Sequence, residues 1–208
     1  MESRVNNFLV ITIKMPRGRP RKFDGDAALD TALRLFWRYG YEGTSISVLA
    51  KAMGITVPSL YLAFGNKESL FLKSVDHYDR YSEGLYVNAF AQTSAREMAL
   101  AILMGEIELV SGENTPEGCL MIQGALATSP ESEVVQQRMA KLRRRAEAEV
   151  AARFEEFGAA GDLPAGWSAK ALAGYVMTVA TGMAVQAKSG ASRQELADVA
   201  DMAMKIWP

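Results

Sequence analysis

The sequence has only one cysteine and one histidine in 208 residues. A lone Cys119 excludes an intramolecular disulfide and points to a reducing, cytoplasmic setting. His77 and Cys119 fall in different segments with no orienting partner, so neither a Cys/His metal site nor an activated thiol nucleophile is indicated. No phosphate-cradling glycine loop occurs. The expectation is a protein that is not an enzyme and carries no metal or cofactor. No run approaches the ~18 apolar residues of a membrane span. Phe8 to Ile13 is apolar but too short for a secretory signal. Sustained strand alternation is absent, and no repeat of 20–50 residues is visible.

Charge is nearly balanced overall, at −1. It is not evenly spread. Residues 1–67 hold 10 Lys/Arg against 5 Asp/Glu, and residues 68–208 hold 13 against 19. A basic head on an acidic body predicts that the head meets a polyanion.

Residues 1–14 read as detached from the rest of the chain, as upstream read-through before a native start at Met15 or as a disordered extension. Arg17-Gly18-Arg19-Pro20 then has the form of an AT-hook core. Glycine lets the backbone approach the groove floor, proline keeps it extended, and Arg17 and Arg19 suit a narrow A·T minor groove. The alternative is a solvated basic tail adding only non-specific attraction.

From Asp24 onward the pattern is helical. Ala28, Leu29, Ala32, Leu33, Leu35, Phe36 and Tyr39 recur at intervals of three and four, between a cap at Asp24 and a stop at Gly40. Thr44 or Ser45 caps a second helix ending at Gly54. A third runs from Val57 to Phe64, with Pro58 in its first turn. Asn66 caps a fourth. Further helices are expected at about 95–111, 117–128, 131–158, 168–188 and 192–206. Ser94, Ser168 and Ser192 precede three of these, with capping-box spacing to Glu97 and Glu195. The predicted fold is all-α: a basic arm (1–23), a three-helix DNA-binding head (24–72) joined through a long fourth helix to a helical body (73–208) for ligand sensing and dimerisation.

Ser45 to Phe64 has the spacing of a helix-turn-helix. Ala50 is the small residue inside the first helix, Gly54 takes the turn, and Leu49, Ile55 and Leu60 hold the pair together. The longer string Phe36…Gly40-Tyr41…Gly43-Thr44-Ser45…Leu49-Ala50-Lys51-Ala52-Met53-Gly54-Ile55…Ser59-Leu60-Tyr61…Phe64…Lys67-Glu68…Leu70 resembles the TetR family of bacterial repressors over about residues 24–72. The resemblance implies a sequence-specific transcriptional regulator. An activator would use the same head. It also implies that Thr56, Val57, Pro58 and Ser59 meet base edges. Thr44, Tyr61 and Lys67 would contact phosphates, and Ser47 is a further candidate. Leu62-Ala63 departs from the family, where a basic or polar residue is common, which puts a phosphate contact there in doubt.

The resemblance further implies a homodimer on a palindromic double-stranded operator, paired through helices 168–188 and 192–206. The first carries Ala169, Leu172, Ala173, Val176, Met177, Ala180, Met183 and Ala184; the second carries Leu196, Val199, Ala200, Ala203 and Ile206. An intramolecular core is the alternative. A small-molecule inducer would bind among the middle helices, and Met98, Ile102, Met104, Ile107, Met121, Ile122, Tyr175 and Met183 are candidate pocket residues or plain core. Cys119, near a helix start, is a candidate redox sensor if that position lowers its pKa, and otherwise a buried thiol. Lys141 and Arg143 to Arg145, followed by glutamates at helical spacing, read as a salt-bridged solvent face.

Overall fold

The computed structural model describes residues 24–112 and 115–207. Arg17, Arg19 and the arm lie outside the described residues. Those described form α-helices and one short 3-10 turn, with no strand among them. The order is α1 (Gly25–Tyr39), α2 (Ile46–Met53), α3 (Val57–Phe64), α4 (Lys67–Phe90), α5 (Ala95–Ser111), α6 (Leu120–Gln123), the turn Pro130–Ser132, α7 (Glu133–Ala159), α8 (Ala169–Lys188) and α9 (Arg193–Lys205). None of these helices alone is long and apolar enough to cross a membrane.

Short polar side chains begin most helices by accepting from otherwise orphaned N–H groups. Asp24 accepts from Asp26 and Ala27, Ser45 from Val48, Thr56 from Ser59, and Asn66 from Ser69. Ser192 and Glu195 make a complete capping box. At α5 only half of the expected box forms: Ser94 accepts from Glu97 N, while Thr93 Oγ1 donates to the Glu97 carboxylate at 3.0 Å.

The expected helix at 117–128 shrinks to the single turn of α6. Gly118 at φ 84° and three consecutive bends after Gly124 break the pattern. This segment spends its hydrogen bonds on α1 instead. Trp37 Nε1 donates to Gly118 O at 2.8 Å and Tyr41 N to Gly124 O at 2.7 Å. Gly40, at φ 72°, lets the chain pass; a Cβ there would lie 3.1 Å from Gln123 O.

One aromatic cluster joins head to body. Phe36 and Tyr41 meet Phe71 at ring centroids 5.1 Å apart, and Trp37 meets Tyr78 edge-on at 4.7 Å. Helix α4 starts against the head and runs on into the body, so the boundary read at 72/73 falls inside a continuous helix. Helix α5 is central, packed on α4, α8 and α9, and buries Ala95, Met98, Ala99, Ile102, Leu103 and Ile107.

Candidate nucleic-acid interface and effector cavity

Helices α2 and α3 meet at 93°, within the range of a helix-turn-helix. Gly54 makes the corner in the left-handed region at φ 68°, and its N–H returns to Ala50 O and Lys51 O. Leu49, Ala50, Leu60 and Phe64 are buried between the helices and α1. The wedge is therefore rigid, and its outer face is fixed.

That outer face is exposed and mixes polar with apolar side chains. Pro58, Ser59, Ala63 and Thr56 are exposed, and Tyr61 is 47% exposed, as a DNA contact requires. Thr56 is the cap of α3, and its Oγ1 lies 2.9 Å from Ser59 Oγ. Ser47 is exposed beside Ser45, their hydroxyls 2.9 Å apart. Val57 shares the angular position of Leu60 and Phe64 and is half-buried against the core, so it is turned aside from the outer face. Leu62 takes its place. It lies one turn beyond Pro58 and is 92% exposed, the most outward large apolar side chain of the head. Spacing of four from Pro58 was the available signal for it.

Thr44 requires a correction. It is fully buried, and its hydroxyl donates to Gly40 O at 2.7 Å rather than facing outward. Its N–H points to Tyr41 O at 3.3 Å. Ser45, not Thr44, caps α2. Lys67 is half-buried with Nζ 4.3 Å above the Tyr41 ring. Burial lowers its pKa, and the nearby Glu42 carboxylate opposes that shift.

The body holds a cavity of about 1100 Å³ between α4, α5, α6, α7 and α8. Ile102, Met121 and Ile122 line it as expected. Met98, Ile107 and Met183 are buried in the surrounding core without reaching it, Met104 is 42% exposed, and Tyr175 donates to Ala203 O at 2.9 Å near Trp207. Sequence reading missed apolar lining residues such as Leu85, Leu109, Leu142 and Met177, and polar ones as well: Tyr78, Tyr86 and Glu106. Apolar periodicity passes over an acid on the cavity wall.

Cys119 lines the same cavity, with Tyr78 Oη 3.2 Å from its sulfur. The condition for a sensing role, a lowered pKa, is not met, and the buried-thiol alternative fits the geometry. Burial, with the Glu106 charge adding to it, pushes the thiol up to about 12, so the thiolate is scarce at neutral pH. Helix α6 is a single turn and supplies little opposing dipole. Among the described residues no three His, Cys, Asp or Glu side chains come together as a metal site.

The model of bacterial regulatory proteins of the tetR family matches residues 28–73. The HTH-type transcriptional repressor ComR of Escherichia coli (strain K12) is 34% identical over 198 residues, 94% of this chain and 94% of ComR. The chain belongs to the TetR family. Among solved TetR structures, a cysteine mutant of the regulator CifR, complexed with 26-bp double-strand operator DNA, superposes with a TM-score of 0.86 at 37% identity. The match covers 92% of this chain and all of that one. A TetR regulator from Rhodococcus sp. RHA1 is 43% identical with a TM-score of 0.58, over 88% and 98% of the two chains. The protein is thus a helix-turn-helix transcriptional regulator and not an enzyme.

Proposed function

We propose that this TetR-type repressor binds a palindromic operator as a homodimer and leaves it when a small molecule fills the body cavity. The division is an arm (1–23), a head (24–72) and a sensing and dimerisation body (73–208). Bacterial operators lie on cytoplasmic DNA, which is where the protein acts. Ser59, Pro58 and Leu62 read bases from the outer face of α3, with Thr56 holding its first turn and Val57 at its margin. Tyr61, Ser47 and Lys67 grip phosphates, and Arg17 and Arg19 reach the minor groove. Repression is also what the ComR name records for that relative.

One observation carries the release step. The 118–124 segment walls the cavity with Cys119, Met121 and Ile122, and holds the end of α1 through Gly118 O and Gly124 O. Lys188 Nζ adds a bond to Arg38 O at 3.0 Å, and Ser129 N one to Glu42 at 3.0 Å. A ligand that displaces this segment moves the head with it. Two heads must stand about one helical turn apart to enter successive major grooves, ~34–36 Å, so a small rotation of each abolishes simultaneous binding.

Genome-wide footprinting of the purified protein tests this reading. A palindromic site is expected. A footprint without two-fold symmetry overturns the dimer, and a reporter switched on rather than off by the bound protein overturns repression.

A further inference from the structure

The cavity wall is mostly apolar with charged side chains toward its rim, and it holds one acid that an apolar ligand would leave unsatisfied. Glu106 projects from the central helix α5 into the space between α4 and α8. Among the described residues no hydrogen-bond donor reaches its carboxylate. Arg143 lines the same cavity, but its guanidinium donates to Met121 O at 2.7 Å. Burial alone raises the Glu106 pKa, to about 7, with no cation pulling it down. Burial pushes Tyr78, Tyr86 and Cys119 upward, and the Glu106 charge adds to each shift. A half-buried carboxyl that faces a cavity without a partner costs stability, and a group arriving to pair with it would offset that cost.

The surroundings favour a positive partner. Tyr86 puts an aromatic ring in the wall, and such rings attract cations to their faces. At the rim, Asp76, Glu83, Glu147 and Glu149 outnumber Arg143, Arg144 and Arg145, and Arg145 is already bonded to Glu149 at 2.8 Å. A volume of about 1100 Å³ accommodates a drug-sized body.

We propose that the effector of this repressor is an amphipathic cation, an apolar molecule bearing one ammonium-type nitrogen, and that Glu106 selects it by pairing with that nitrogen inside the cavity. This rests on reading the cavity as the effector site. The ion pair forms in a low-dielectric wall, where it is worth more than at the surface.

Three probes of one shape separate charge from shape: 4-phenylbutylammonium, 4-phenylbutanol and 4-phenylbutanoate. Calorimetric titration of the full-length protein is expected to show the ammonium binding at least tenfold more tightly than the alcohol, and the carboxylate most weakly. In Glu106→Gln the ammonium should fall to the level of the alcohol, whose own binding shows that the cavity is still formed. Raising the pH from 6 to 8 ionises Glu106 while an aliphatic ammonium stays charged, so wild-type affinity for it should rise about tenfold. Tyr78, Tyr86 and Cys119, each pushed upward by burial, stay neutral over that range, and Glu147, Glu149 and Arg143 are the other charged groups that face the cavity from α7. Equal binding of alcohol and ammonium by the wild type, no binding of any probe, or a preference that survives in Glu106→Gln overturns the proposal. Operator release is scored separately by fluorescence anisotropy. Release by alcohol and ammonium alike would keep the ligand-released repressor and discard the charge assignment; tight ammonium binding without release would do the opposite.

Discussion

Glu106 shows how one side chain sets a pH dependence. Its folded pKa, about 7, stands above its unfolded value near 4.5. Between those values the folded chain holds a proton that the unfolded chain has released, so stability falls as pH rises through this window and stays lower above it. Glu106→Gln removes that loss. The variant should match wild type near pH 4 and exceed it by on the order of 1–3 kcal/mol at pH 8, measured by urea denaturation at both pH values. An identical difference at the two values would exclude the burial account. Thr44 makes the opposite kind of contribution. Its buried hydroxyl closes the α1–α2 turn through Gly40 O, so Thr44→Val should cost about 1–3 kcal/mol by leaving that carbonyl unpaired. The salt slope of operator binding should stay the same, because the hydroxyl does not reach a phosphate; a reduced slope would restore the phosphate role.

At the scale of elements, the helix-turn-helix depends on a corner more than on either helix. Eight-residue helices are marginal alone, and α2 and α3 stand because Leu49, Leu60 and Phe64 are buried between them and α1. Gly54 meets no atom that a methyl group would strike, so Gly54→Ala tests backbone strain by itself. It should cost about 1 kcal/mol, read from thermal unfolding, since an alanine at φ 68° is strained. A neutral result would mean that the corner tolerates an L side chain. Helix α6 teaches the converse. Its sequence suits a longer helix, yet the carbonyls of Gly118 and Gly124 are taken by Trp37 and Tyr41, and the helix yields to that tertiary demand.

At the scale of the whole molecule, the terminal helices bury one apolar set in this chain and leave another exposed. Leu172, Ala173, Val176, Ala180, Met183, Ala184, Leu196, Ala200 and Ala203, read from sequence as a dimer stripe, are buried inside this chain. The intramolecular core was the right alternative for them. Val185, Val199, Met202 and Ile206 remain exposed on the same helices and are the apolar groups a partner would cover. Val199→Glu combined with Met202→Glu places like charges across any two-fold axis through this face. Sedimentation should then show monomers at micromolar concentration, and operator affinity should fall at least tenfold because one head reads half a site. A dimer that persists would move the interface elsewhere.

Sequence alone determined the helical class, the caps at Asp24, Asn66, Ser168 and Ser192, the turn at Gly54 and the identity of the head, because each depends on neighbours within a few residues. The family resemblance also marked Ser59 and Tyr61, and both stand exposed on α3. Tertiary structure decided the rest. Thr44 is buried because α1 returns over it, Cys119 keeps its proton because the body packs around it, and Glu106 is a site because three other helices leave a space at its carboxyl. Which of two apolar stripes faces inward on α8 and α9 was likewise set by α5 and α7. Local pattern records periodicity, whereas burial and charge depend on what the remainder of the chain brings alongside.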